Sequence, residues 1–227
     1  MILEKEQLRK NLDEVIWKIE EARISVSEHH IVKLVAVGKY TQIENIATLY
    51  ELGQRAFGEN QVQQLKERVD ALDALPLEWH MIGRLQKNKI NNLIDLNPAL
   101  MHSLDSLELA ETLEKKLEAK DATMGCLLQI NAAQEATKSG VSPQEAIDTY
   151  QEIKERFSRI RLKGVMSIGA HTDNTQKIKE SFETTHRIFE SLQKEGATVC
   201  SMGMSGDYEL AIKCGSNLVR IGSALFK

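Results

Sequence analysis

Residues 198–223 read TVCSMGMSGDYELAIKCGSNLVRIGS. A short apolar stretch, Thr198–Met202, runs into the turn Gly203-Met204-Ser205-Gly206-Asp207. A helical pattern near 206–214 follows, and a second apolar stretch, Asn217–Ile221, ends on Gly222-Ser223. Short runs rich in β-branched residues read as strands, and two strands joined by a helix read as a parallel crossover. Glycine lets the backbone approach an anion, and the free N–H groups at a helix start favour negative charge. In (β/α)₈ barrels such phosphate sites follow the seventh and eighth strands. The fold therefore turns on whether six further strands precede this pair.

Working outward, six candidates are found: Ile31–Val37, Arg55–Phe57, Trp79–Ile82, Leu100–Ser103, Gly125–Ile130 and Leu162–Ile168. Helical patterns lie between them, near 42–52, 60–71, 86–94, 106–119, 143–157 and 174–194. Residues 3–24 form a further amphipathic helix at the start, with Leu8, Leu12, Val15, Ile16 and Ile19 at helical spacing. Capping signals mark several helix starts: Thr41 with Glu44, Asp105 with Glu108, and Ser142-Pro143-Gln144-Glu145. Strict alternation of strand and helix fits an open doubly wound sheet or a closed barrel. Eight strands in 227 residues favour one α/β domain over 1–227, a (β/α)₈ TIM barrel with an extra N-terminal helix.

Composition narrows the function. The net charge of −4 shows none of the basic excess of a nucleic-acid binder. No apolar run reaches the length of a membrane span, and the first residues lack the apolar core of a signal peptide, so a cytoplasmic protein is expected. Cys126, Cys200 and Cys214 are scattered without metal-ligand spacing and read as reduced, mostly buried thiols. No metal site is expected, and neither a nucleotide-binding P-loop nor a dinucleotide fingerprint occurs. No long apolar surface stripe stands out, which points to a monomer or weak dimer.

The active site of such a barrel lies at the C-terminal ends of its strands. The first strand ends on Gly38-Lys39, the second on Phe57-Gly58-Glu59-Asn60, the sixth on Ser167, and the third contains His80. A lysine at the barrel mouth, if desolvated, exposes an amine lone pair that attacks an aldehyde; otherwise Lys39 is an ordinary strand-end charge. Met204, Ser205, Gly222 and Ser223 fall in the two expected phosphate loops, although Gly and Ser also suit plain turns. Arg220 lies within the last strand, where a guanidinium requires a partner. That partner is either an internal carboxylate or the ring nitrogen of a cofactor. His80 reads first as a hydrogen-bonded core histidine.

The chain resembles the pyridoxal phosphate homeostasis proteins, single-domain barrels similar to the N-terminal domain of alanine racemase. The resemblance rests on Leu34–Lys39, Phe57–Gln63, Trp79–Lys89, Gln129–Asn131 with Lys138–Gly140, Leu162–Met166, Gly203–Ile212 and Val219–Phe226. It implies that Lys39 carries pyridoxal 5′-phosphate (PLP) as a Schiff base and that Ser205, Gly222 and Ser223 hold the phosphate. It implies that Arg220 faces the pyridine nitrogen, with Asn60, His80 and Ser167 near the cofactor. The chain departs from the family at Gly38, where serine is usual, at Tyr40-Thr41-Gln42, and in ending at Lys227 before the usual Gly-x-Arg-x-Tyr.

Three readings follow. In the first the protein holds PLP, balances the vitamin B6 pool and passes the cofactor to apo-enzymes, with no specialised catalysis. An arginine facing the ring nitrogen weakens the ring as an electron sink and favours this reading. In the second the protein is a PLP-dependent amino-acid racemase with Lys39 as one acid/base group and Tyr40 as a nearby phenol to test. In the third it binds another phosphorylated metabolite without a covalent bond.

Overall fold

A computed structural model describes residues 1–135 and 137–227. Eight parallel strands close into a barrel: β1 (Lys33–Val37), β2 (Ala56–Glu59), β3 (Glu78–Met81), β4 (Leu100–Leu104), β5 (Met124–Ile130), β6 (Ile160–Ser167), β7 (Val199–Ser201) and β8 (Leu218–Ile221). The ring is sealed by β1 against β8, with Val35 opposite Arg220 and Ala36 opposite Ile221. This is the (β/α)₈ barrel expected, not the open sheet.

Helices α2 (Ile43–Glu51), α3 (Val62–Ala71), α4 (Ile90–Leu96), α5 (Leu107–Ala119), α6 (Ala146–Arg156), α7 (Thr175–Gln193) and α8 (Tyr208–Lys213) each follow a strand. The N-terminal helix, α1 (Lys5–Ile24), packs between α8 and α2 and so stands in the eighth place of the outer ring. It buries Leu8, Leu12, Val15, Ile19 and Ala22. Burying each large aliphatic side chain contributes about 1.5–3 kcal/mol against the ordering entropy of the helix. Asn11, on the same face, donates from Nδ2 to the carbonyls of Leu225 and Lys227 at 2.9 and 3.0 Å, fastening the end of the chain to the helix.

Alternation along the strands separates two cores. Val35, Ala56, Leu100, Leu127, Met166 and Leu218 form a small cluster that plugs the barrel, while Ala36, Phe57, Met101, Leu128, Val165 and Val219 join the larger cluster beneath the helices. The pairing of β5 with β6 slips between Cys126 and Leu127. Gly164 lies at the slip with φ +146°, and a Cβ there would sit 1.9 Å from the Val199 carbonyl oxygen. Only glycine allows β6 and β7 to approach so closely.

Two capping expectations are corrected. Thr41 does not cap α2; its N-cap is Gln42, without a side-chain bond, and the Thr41 hydroxyl accepts from Asn45 instead. Helix α5 is capped by Ser106, whose hydroxyl accepts from the Leu109 N–H at 3.2 Å, rather than by Asp105. The Ser142–Glu145 pair forms, but in a turn just before α6.

Candidate functional site

A cavity of about 770 Å³ opens at the C-terminal ends of the strands. Lys39, Asn60, Met204, Ser205, Arg220, Gly222 and Ser223 line it. Val37, Ile82, Ile130, Met166 and Ile168 give it apolar walls. His80 and Ser167 do not line it. His80 is buried inside the barrel beneath the cavity, and Ser167 turns its hydroxyl outward, where it accepts from Thr185 of α7 at 2.8 Å. Strand parity explains Ser167, since its neighbour Met166 takes the inward position.

Strand β1 ends at Val37, so Lys39 falls in the following turn and is exposed at the cavity rim. Of the two readings left open for this side chain, a desolvated amine and a strand-end charge in solvent, its exposure matches the second. Its Nζ lies 5.7 Å from the centre of the Tyr40 ring. Tyr40 has φ +67°, a left-handed backbone that a bulky residue adopts only where the surroundings enforce it.

The two loops after β7 and β8 meet. Ser205 Oγ accepts from the backbone N–H of Gly222 at 3.2 Å and of Ala224 at 3.3 Å. Asp207 ties the first loop by accepting from the Met204 N–H at 2.7 Å. These two amides fix Ser205 by donating to its oxygen, which leaves its hydroxyl proton, with the Ser223 hydroxyl, to face one corner of the cavity as donors for an anion.

Arg220 rises through the cavity floor. Nη1 donates to Ser201 Oγ at 2.5 Å and Nη2 to the Ser167 carbonyl at 2.9 Å. Among the described residues no carboxylate is within ion-pair distance of it, so the internal-carboxylate alternative finds no support. Burial lowers its pKa to about 10, opposed by the field of Asp207 and Cys200. Burial likewise raises the pKa of Asp207, against the Met204 N–H, Arg220 and Lys138.

Glu59, at the end of β2, is fully buried, and neither carboxylate oxygen has a hydrogen-bond partner. Burial raises its pKa to about 7, although Arg68 lies 3.5 Å away. A Cβ on Gly38 would come within 2.5 Å of Glu59 Oε1, so the glycine beside Lys39 makes room for this carboxylate.

Sequence reasoning left several lining residues out of the site. Gln129 lies on β5, and Arg84 and Thr137 on loops. Lys138 also lines the cavity, donating to the Gly169 carbonyl at 2.8 Å and pairing with Glu135 at 3.0 Å. Gln129 had a usable signal, since it keeps step with inward Leu127 two residues earlier; the loop residues had none. The three cysteines are buried and unpaired. Among the described residues no group of three His, Cys, Asp or Glu side chains gathers to hold a metal.

A closed barrel with a lysine at the first strand end, an anion corner after the last two strands and a buried arginine defines a class. The sequence model of the family "Alanine racemase, N-terminal domain" matches residues 9–227. A protein of Helicobacter pylori (strain J99) named pyridoxal phosphate homeostasis protein is 56% identical over 219 residues, covering 96% of this chain and 98% of its own. A counterpart of that name from Haemophilus influenzae is 37% identical, covering 96% of this chain and 94% of its own. The structure of PipY from Synechococcus elongatus with PLP bound superposes with a TM-score of 0.78 at 29% identity, over 92% of this chain and all of that one. The chain belongs to the pyridoxal phosphate homeostasis protein family.

Proposed function

We propose that this chain binds PLP in the cavity and serves vitamin B6 homeostasis without a specialised catalytic reaction. The observation that carries this is the convergence of three different donors on one cavity. Lys39 supplies a primary amine, the Ser205, Gly222 and Ser223 corner supplies hydroxyls and amides, and Arg220 supplies a charged donor from below. An aldehyde, a phosphate and a pyridine nitrogen are the complements of that set. The volume also suits a small cofactor with room to spare.

In this reading Lys39 would hold the cofactor through its amine, the group able to condense with the PLP aldehyde as a Schiff base with loss of water. The loops would hold the phosphate, and Arg220, which only donates, would favour a ring nitrogen in its accepting, unprotonated form. Such a ring is a poor electron sink, which suits storage and delivery to PLP-dependent apo-enzymes better than carbanion chemistry. We place the protein in the cytoplasm as a monomer or weak dimer. No helix among the described residues is long and apolar enough to cross a membrane. Light scattering that gave a tight tetramer would contradict the oligomeric part.

The test is borohydride reduction after incubation with PLP, followed by peptide mass mapping. The expected result is one stable secondary amine on the Lys39 peptide. A folded protein in which Lys39 stays unmodified sinks the covalent reading and leaves a phosphate-ester site. The racemase reading has one supporting observation, the Tyr40 phenol lining the cavity beside Lys39. The expected outcome with L-alanine is no D-alanine above background; formation of D-alanine lost in Tyr40→Phe would reverse that.

A further inference from the structure

A line of hydrogen bonds crosses the barrel interior from floor to cavity. At the floor, Glu78 Oε1 receives Lys33 Nζ at 2.5 Å and His80 Nε2 at 3.0 Å. His80 Nδ1 lies 2.8 Å from His102 Nε2, and His102 Nδ1 lies 3.1 Å from Ser201 Oγ. Ser201 Oγ receives Arg220 Nη1, and Arg220 lines the cavity. His80, His102, Ser201 and Arg220 are all buried.

The two ends fix the direction of every bond between them. A guanidinium only donates and an ionised carboxylate only accepts. Ser201 accepts from Arg220 and has its own proton to give, which His102 Nδ1 accepts. A neutral His102 then carries its proton on Nε2 and gives it to His80 Nδ1. A neutral His80 carries its proton on Nε2 and gives it to Glu78. Each histidine has one permitted tautomer, and all donors point from cavity to floor. Burial, then His80, Arg220 and Lys33, hold the His102 pKa well below its ordinary value, in keeping with a neutral ring.

One more proton does not fit this line. If the pair takes a proton from solvent, the hydrogen between the rings shifts to His80 Nδ1 and the new proton occupies His102 Nδ1. Ser201 then faces two donors, and its own hydroxyl proton must turn away. The charged groups bearing on the pair are Lys33 from β1, Glu78 from β3 and Arg220 from β8, with Asp207 and the Cys200 thiol acting on Arg220.

We propose that Glu78, His80, His102 and Ser201 are positioning residues for Arg220, a one-way chain that transmits the protonation state of the barrel floor to the ring end of the cavity ligand. The transmission rests on reading the cavity as a PLP site; the chain itself does not.

Two measurements test it on the full chain. In ligand-free protein labelled with ¹⁵N-histidine, NMR at about pH 8 is expected to find His80 and His102 both protonated on Nε2 alone. A proton on Nδ1 of either ring overturns the chain. In PLP-loaded protein, the pH midpoint of the visible absorption is compared in wild type, Glu78→Gln and Lys33→Met. Both positions are partly exposed at the floor and outside the cavity. Glu78→Gln removes the charge that favours a protonated pair, so the midpoint moves down; Lys33→Met removes an opposing charge, so it moves up. Each shift is expected to be about half to one pH unit. Adding Ser201→Ala to Glu78→Gln is expected to abolish the first shift. One unchanged midpoint in all, or two shifts of the same sign, overturns the transmission. A general loss of packing would not produce opposite signs. Failure to load PLP at all condemns the cofactor reading, and the tautomers then decide the chain alone.

Discussion

The floor and the mouth of this barrel treat a carboxylate in opposite ways. At the floor Glu78 receives donors from His80 and Lys33, and these bonds, His80 foremost, hold its pKa down to about 2 against partial burial. At the mouth Glu59 has a guanidinium 3.5 Å away but no donor on either oxygen, and burial lifts it to about 7. The two carboxylates also differ in burial, Glu78 keeping 37% of its side chain exposed and Glu59 none, so it is desolvation weighed against the donors within reach that decides which protonation state is favoured. The floor satisfies its own polar groups. The mouth keeps donors in reserve, with Lys39 exposed and the Ser205 corner built from loops.

The sharpest break in that contrast is Lys39→Ala, expected to remove the reducible adduct and the visible absorption of bound PLP entirely while leaving the melting temperature near wild type. Retention of the adduct on another lysine would move the reserve donor elsewhere. Next comes Glu59. Its folded pKa lies above the ordinary value of 4.5, so its favourable contribution is complete below that value and is lost as pH rises through about 7. Wild-type stability is expected to fall across that window. Glu59→Gln should flatten the fall, gaining about 3 kcal/mol at pH 8 and nothing at pH 4 in denaturant titrations. An unchanged slope would mean that Glu59 has a donor. Ser205→Ala is smaller, an expected loss of about tenfold in affinity for a PLP analogue lacking the aldehyde, read by calorimetry. Glu78→Gln comes last: it should cost at most about 1 kcal/mol at neutral pH, where the partly exposed carboxylate is ionised and holds its donors. The difference from wild type should vanish on acidification, because a depressed pKa contributes stability that disappears as pH falls from 4.5 towards 2.

The sequence revealed the eight strands because each is a short apolar run, several of them β-branched, set between polar helical stretches; even Arg55–Phe57, the weakest, marks β2 at Ala56–Glu59. Helix starts were less legible. Ser106 beats Asp105 as a cap because the backbone turns one residue later than the acidic pattern suggests. The cavity lining was readable wherever a residue follows a strand end, as with Lys39, Asn60 and Ser205. Ser167 was placed near the cofactor, but strand parity turns its side chain to α7, a distinction lost when the strand boundary is uncertain by one residue. Glu59 and His102 gave no warning at all. Each matters through a partner distant in sequence, and a single sequence does not display pairs.

The seam between β1 and β8 sets a condition on how the protein is made. Lys39 follows the first strand, whereas Ser205, Arg220 and Ser223 lie in the final stretch of the chain. A chain emerging from the ribosome presents the lysine long before the rest of the pocket exists. On the proposed reading, Lys39 is for that interval no different from any other amine towards a free aldehyde, and selectivity would arrive only when the last strand closes the ring.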